Sequence, residues 1–326
     1  MKKLQDRQGR NFPYLRLSIT DLCNFRCQYC LPDGCHTPQH KTAISLDEIR
    51  RLASAFAALG TNKIRISGGE PSLRSDFYDI IHTIRNIPGI ETVAVTTNGY
   101  KMDRRVERWI DAGMTHLNVS IDSLEPAMFQ RITGHNRLDE VLGGIDKALA
   151  AGLPSVKVNT VLMKDINDKE LDRFLGWIKD QPITVRLIEL METGDMPDFF
   201  QKHHLSGLVV RQQLLKKGWT QMIRPDNAGP AQEFSHPDYQ GHIGLIMPYS
   251  RDFCNSCNRL RVNSQGNLQL CLFADKGYSL RHLLQSDNQQ ELLIARIQEV
   301  LQLKEDKHFL DQGNTGATTN LSIIGG

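Results

Sequence analysis

From Tyr14 onward the chain alternates short runs in which every second residue is apolar with longer runs whose apolar residues recur every three or four positions. The first pattern is that of half-buried strands, the second that of amphipathic helices. Strands are expected at "YLRLSIT" (14–20), "KIRIS" (63–67), "TVAVTT" (92–97), "HLNVSID" (116–122), "VKVNTVLM" (156–163) and "ITVRLIEL" (183–190). Between them lie the helical runs "SLDEIRRLASAFAALG", "DFYDIIHTIRNI", "RRVERWIDAG", "RLDEVLGGIDKALAAG" and "KELDRFLGWIKD". Ser45 and Glu48 have the spacing of a capping box, and Gly60 marks a helix stop. Six such units predict an α/β fold, an incomplete (β/α)6 barrel of the TIM type over residues 14 to about 200.

Within the strands, Arg16, Arg65, Lys157 and Arg186 each stand between two aliphatic residues. Neighbours on a strand face opposite ways, so if the aliphatic residues meet the helices, the basic ones meet the barrel interior. Ser18, Ser67, Thr96, Asn98, Asn118, Ser120, Asp122 and Asn159 are expected on that same face. An antiparallel sheet with one wet face would give the same alternation, but hairpins need short turns and these connections have helix length. An unpaired buried cation costs several kcal/mol. Four of them predict an anionic ligand or compensating carboxylates.

After residue 200 the pattern changes. A helix "GLVVRQQLLKKG" leads to the Pro/Asp/Asn/Gly-rich "RPDNAGPAQEFSHPDYQGH" and a strand "IGLIMP". A hairpin follows, "RLRVNS" and "NLQLCLF" about Gln265 and Gly266, then helices near 279–285 and 289–304 and a polar tail. The division expected is a barrel part over 1–200 and a C-terminal part over 201–326 that closes it.

Composition adds exclusions. The 326 residues carry a formal charge of +2, with 40% hydrophobic and 23% charged residues, too near balance for a global field that would hold nucleic acid or an anionic membrane. No apolar run reaches membrane-spanning length, and the first twenty residues lack a signal-peptide core. A cytoplasmic location is the expectation, with monomer and homodimer both open.

Candidate chemistry lies in the cysteines. "DLCNFRCQYC" sets Cys23, Cys27 and Cys30 at the end of the first strand, and Cys254, Cys257 and Cys271 form a second group of three. Barrel enzymes keep reactive groups at the strand ends. Three thiolates leave one iron of a cubic cluster without a protein ligand, and an open coordination position is what makes a metal site reactive. Zinc is the alternative: at the first group with His36 or His40, at the second, whose C-x2-C opens a hairpin, with His242 or His282. Cys35 reads as a spare thiol.

"CNFRCQYC" resembles the signature of the radical S-adenosylmethionine (SAM) enzymes, and "SGGEP" (67–71) resembles the segment that lies along the SAM amino group in that family. The order of "KIRISGGEP", "AVTTNGY", "LNVSIDSL", "KVNTVLM", "ELMETG", "DFCNSCNRLRV" and "LQLCLF" resembles the branch of the family that cyclises GTP at the start of molybdenum cofactor biosynthesis. The resemblance runs from Arg16 to Gly326. It implies two 4Fe-4S clusters and SAM as cofactors: Cys23, Cys27 and Cys30 on the SAM cluster, and Cys254, Cys257 and Cys271 on an auxiliary cluster that meets the guanine. It further implies SAM contacts from Tyr29, Gly69, Ser120 and Met191. GTP contacts are implied for Arg16, Arg65, Thr96, Lys157, Arg259, Leu260 and Arg261, and an auxiliary role for Gly325 and Gly326. Arg186 is added to the GTP set from the alternation alone, with an ion pair to Glu189 or Glu192 as its other reading. A flavodoxin or ferredoxin as electron donor and the next-step cyclic pyranopterin monophosphate synthase are the partners implied. No phosphate-binding G-x-x-x-x-G-K-[ST] loop occurs, so GTP would not be held as in P-loop hydrolases.

Overall fold

The computed structural model describes residues 4–35, 43–223, 229–251 and 253–316. Its first six strands are β1 (Tyr14–Ser18), β2 (Lys63–Ser67), β3 (Thr92–Thr97), β4 (His116–Ser120), β5 (Ser155–Leu162) and β6 (Ile183–Glu189). They pair in chain order and in parallel. The crossovers are α1 (Leu46–Ala58), α2 (Phe77–Arg85), α3 (Val106–Asp111), α4 (Pro126–Thr133), α5 (Leu138–Ala150) and α6 (Leu171–Ile178). At α1 the capping box forms as the spacing predicts: Glu48 N donates to Ser45 Oγ at 3.2 Å and Ser45 N to Glu48 Oε2 at 2.7 Å.

The alternation in the strands has the consequence expected of it. Leu15, Leu17, Ile64, Ile66, Val158 and Val185 are fully buried against the helices and merge with Ile49, Leu52, Phe56, Ile80 and Ile84 in one apolar core. Each such side chain contributes about 1.5–3 kcal/mol by leaving water. The positions between them carry the cations to the other face.

The C-terminal part contributes α7 (Pro197–His203), α8 (Gly207–Lys216), β7 (Thr220–Gln221), β8 (Gln232–Ser235), β9 (His242–Ile246), β10 (Arg259–Val262), β11 (Asn267–Gln269), β12 (Tyr278–Ser279) and α9 (Gln290–Leu301). All its strands join the same sheet, in the order β12-β11-β10-β1-β2-β3-β4-β5-β6-β9-β8-β7. β10 pairs in parallel with β1, and β9 in parallel with β6, so the parallel stretch is two strands longer than the sequence pattern indicated. The sheet is not closed; antiparallel strands end it on both sides. β8 lies in the segment whose Pro/Asp/Asn/Gly content reads as loop, and only one turn of 3-10 helix, Arg281–Leu283, stands where a helix near 279–285 was expected. Local composition does not tell which sheet edge a short strand will complete. The β10–β11 hairpin turns as expected at Gly266, whose φ of 77° suits a residue without a Cβ. Its register sets Arg261 beside Arg16, which itself sits beside Arg65.

Candidate active site

Past β1 the chain stays against the end of β2: Ile19 N donates to Ser67 O at 2.9 Å, Gly69 N to Thr20 O at 2.9 Å and Glu70 N to Leu22 O at 2.7 Å. Gly68 and Gly69 are required here by the chain's own backbone. A Cβ on Gly69 would lie 2.3 Å from Leu22 O, and one on Gly68, at φ +154°, 2.4 Å from Thr20 O. Behind them the fully buried Glu70 carboxylate accepts from Ser72 N (3.0 Å), Thr97 Oγ1 (2.9 Å) and Asn98 N (2.7 Å), which fastens the ends of β2 and β3 together.

On this base stands the thiol loop. Cys30 N and Leu31 N both donate to Cys27 O, at 3.0 and 2.9 Å, a tight turn that brings Cys30 back toward Cys27. Arg26 N and Gln28 N dock on Thr133 O and Ile132 O at the end of α4, and Phe25 stacks on His135 at 4.7 Å. Tyr29 Oη donates to the buried Asp122 at 2.9 Å. Cys23, Cys27 and Cys30 thereby line one cavity together with Tyr29, Gly69, Ser120 and Met191, all of them residues singled out from sequence. Thr96 and Asn98 line it too. Cys35 is not among its lining residues; its thiol donates to Asp21 O at 3.5 Å.

A second cavity adjoins the first and shares Asn159, Ile188 and Met191 with it. Cys254, Cys257 and Cys271 line it, as do Arg16, Arg65, Arg186, Arg259 and Arg261. Burial first, and then the crowding of like charges, hold Arg16, Arg65 and Arg186 at about 10, and Arg261 is pushed well below the usual guanidinium range for the same reasons. Lys157 does not line either cavity; its ammonium pairs with Glu233 at 3.0 Å. Leu260 departs from expectation. At 1% exposure it sits between Arg259 and Arg261, faces the other side of β10 and packs in the apolar core, so its side chain does not reach the cavity. For Arg186 the expected ion pair is not the contact formed: Glu189 pairs with His204 at 3.0 Å, the loop at Glu192 is held through its backbone N, which donates to Tyr249 Oη at 3.0 Å, and Arg186 donates to Asn118 Oδ1. Gly244 beside it in the register leaves room for the arginine stem, since a Cβ there would lie 2.9 Å from Arg186 Cγ.

The family model described as Radical SAM superfamily matches residues 17–178, and the one described as Molybdenum Cofactor Synthesis C matches residues 183–310. A curated protein of Yersinia pestis named GTP 3′,8-cyclase is 60% identical over 326 residues, covering 100% of both chains. The chain belongs to the GTP 3′,8-cyclase family. Another GTP 3′,8-cyclase, from Vibrio atlanticus (strain LGP32), is 58% identical and is covered over 98% of its length. Among solved structures, Streptococcus suis SuiB bound to S-adenosylmethionine has a TM-score of 0.63 at 10% identity, covering 89% of this chain and 68% of that one. SuiB bound to the precursor peptide SuiA gives 0.61 at 12% identity, covering 91% and 68%. At such identities the likeness is one of fold.

The first cavity suits the iron–sulfur chemistry of the radical SAM enzymes, to which GTP 3′,8-cyclases belong. Each of the two cavities collects three thiols. Burial holds Cys23 up at about 11 and Cys27 well above the usual thiol range. At Cys257 burial acts the same way but is outweighed by Arg259 and Lys304, and the thiol sits at about 7. Irons bind thiolates, so an iron cluster held by the first group would release protons as it loads. His36 and His40 lie outside the described residues, and neither His242 nor His282 lines the second cavity. His308 does, with its backbone N 3.5 Å from Cys254 Sγ and its ring against Phe253 and Phe273.

Sequence reasoning missed His308, Phe253 and Glu233, whose placement depends on distant segments coming together. It also missed Tyr14, for which a signal existed: it stands two residues before Arg16 on the same strand. No helix among the described residues is long and apolar enough to cross a membrane.

Proposed function

We infer that the chain is a radical SAM GTP 3′,8-cyclase, converting GTP to (8S)-3′,8-cyclo-7,8-dihydroguanosine 5′-triphosphate in the first step of molybdenum cofactor biosynthesis. The observation that carries this is the match at 60% identity over the whole chain. The two adjoining thiol-lined cavities, one of them floored by arginines, support it.

When bound, a 4Fe-4S cluster with SAM at the first cavity would supply the one-electron chemistry that abstracts a substrate hydrogen, and a second 4Fe-4S cluster at the other cavity would serve the guanine. Cys23, Cys27 and Cys30 hold the first and Cys254, Cys257 and Cys271 the second. Tyr29, Gly69, Ser120 and Met191 flank SAM, and Asn159, Ile188 and Met191, common to both cavities, stand where the ribose must meet it. Arg16, Arg65, Arg186, Arg259 and Arg261 bind the triphosphate, for which guanidinium is suited by its paired donors. Lys157, paired with Glu233 outside both cavities, and Thr96, on the wall of the first, are retained in the substrate set on the family resemblance. Gly325 and Gly326 lie outside the described residues; an auxiliary role at the site is retained for them. A flavodoxin or ferredoxin is the proposed electron donor, and a cyclic pyranopterin monophosphate synthase the proposed recipient of the product.

The test is anaerobic reconstitution, a count of iron and zinc, then turnover with SAM, a strong reductant and GTP deuterated at the ribose 3′ carbon. Deuterium should appear in 5′-deoxyadenosine. Unlabelled deoxyadenosine would refute the cyclase, and stoichiometric zinc in the C-terminal group would refute its second cluster.

A further inference from the structure

Over β10, β1 and β2 the register sets two rows side by side on the lumen face: Arg261, Arg16 and Arg65 in one, Arg259, Tyr14 and Lys63 in the other. Of these six positions only Tyr14 is not basic. Its ring is 3% exposed, with Lys63 Nζ 5.2 Å, Arg65 Cζ 5.4 Å and Arg16 Cζ 5.9 Å from its centroid. A ring face attracts cations, most strongly where water is excluded, and a single ring here faces three. The ion pair of the neighbouring region, Lys157 with Glu233, lies apart on β5 and β8.

We propose that Tyr14 is a positioning residue that stands in for the substrate's phosphates: its ring, lying among Arg16, Lys63 and Arg65, holds these cations in place as an internal counter-charge while the lumen carries no anion. The inference rests on the reading of this lumen as the GTP site. Without some internal counter-charge the crowded cations would repel one another and splay, and the site would have to be rebuilt at each binding event. Burial raises the Tyr14 phenol, but Arg65, Arg16 and Lys63 outweigh it and bring it down to about 7. Arg186 from β6 and Arg259 and Arg261 from β10 also face this group, Lys157 and His116 lie beyond Lys63, and Glu233 is the nearby carboxylate.

Calorimetry of the cluster-loaded full chain, titrated at pH 6.5 with GTP and separately with inorganic tripolyphosphate, reads the dependence of binding on the ring. Tyr14→Phe keeps the ring and should bind within about threefold of native, whereas Tyr14→Leu should bind at least about tenfold more weakly. Equal weakening in Tyr14→Phe and Tyr14→Leu, or native affinity in Tyr14→Leu, overturns the proposal. If tripolyphosphate binding depends on the ring and GTP does not bind, the GTP reading fails and the role of Tyr14 stands. If GTP binds without that dependence, the reverse holds.

Discussion

Arg186→Met should make the ligand-free protein more stable and its GTP binding weaker, opposite signs from one substitution. The guanidinium is 5% exposed and is held at about 10 against an ordinary 12.5, first by burial and then with Arg16 opposing it. A difference of that size means that the fold disfavours the charged form by about 3 kcal/mol. Methionine fills much of the same volume without charge. The loss is the bond to Asn118, whose amide keeps its other bond, to Val95 O at 3.0 Å; an acceptor left unpaired costs about 1–3 kcal/mol. The net expectation is a gain of about 0–2 kcal/mol, or a rise of up to about 5 °C in the apparent midpoint of thermal unfolding for a chain of this size. Removing one partner of a buried charge pair costs about 2–5 kcal/mol in binding. With four other arginines lining the cavity to compensate, the low end applies, about 30- to 100-fold in GTP Kd. The assays are thermal unfolding of the reconstituted, ligand-free protein and equilibrium GTP binding. A variant less stable than native, or one binding GTP within threefold of native, would refute the argument that this cation is kept for its ligand.

Arg259→Ala should weaken GTP binding by at least about tenfold while reductive SAM cleavage stays measurable, because Arg259 lines the second cavity and not that of the first thiol group; unchanged affinity would discredit the cationic floor. Gly69→Ala should cost about 2–4 kcal/mol, since the Cβ meets Leu22 O at 2.3 Å and separating the loops strains two backbone bonds. Iron analysis after reconstitution should show loss confined to the first site. For pH, His116 is held at about 4 by burial and by Lys63, Lys157 and Arg65. It stays neutral in the folded chain while the unfolded chain takes up a proton below about 6.5, so stability falls as pH drops from 6.5 to 4. With partial screening by water the effect is about 1–2 kcal/mol, and His116→Gln should flatten that part of the stability–pH curve.

The six-strand frame was legible because each element carries its own period. "KIRIS" is a strand at the predicted bounds, and Ser45 with Glu48 caps α1, since both depend on residues within a few positions of one another. The face of Arg16, Arg65 and Arg186 was legible for the same reason: strand geometry turns alternate side chains to opposite sides wherever the strand ends up. That argument also carried the error at Leu260, whose side the period itself assigns to the core. β8 was hidden because its pairing with β9, not its composition, makes it a strand.

Thiol spacing and strand alternation, being local, fixed in advance that the chain holds two three-cysteine groups and a row of inward cations. Their meeting was decided only by the fold. β10 comes from a segment more than two hundred residues after β1, and nothing near Arg259 or Arg261 in the chain encodes that β10 will pair in parallel with β1 and bring them level with Tyr14 and Arg16. Long-range pairing is chosen by which exposed strand edge remains to be satisfied once the other strands are in place, a property of the assembled sheet and of no segment within it.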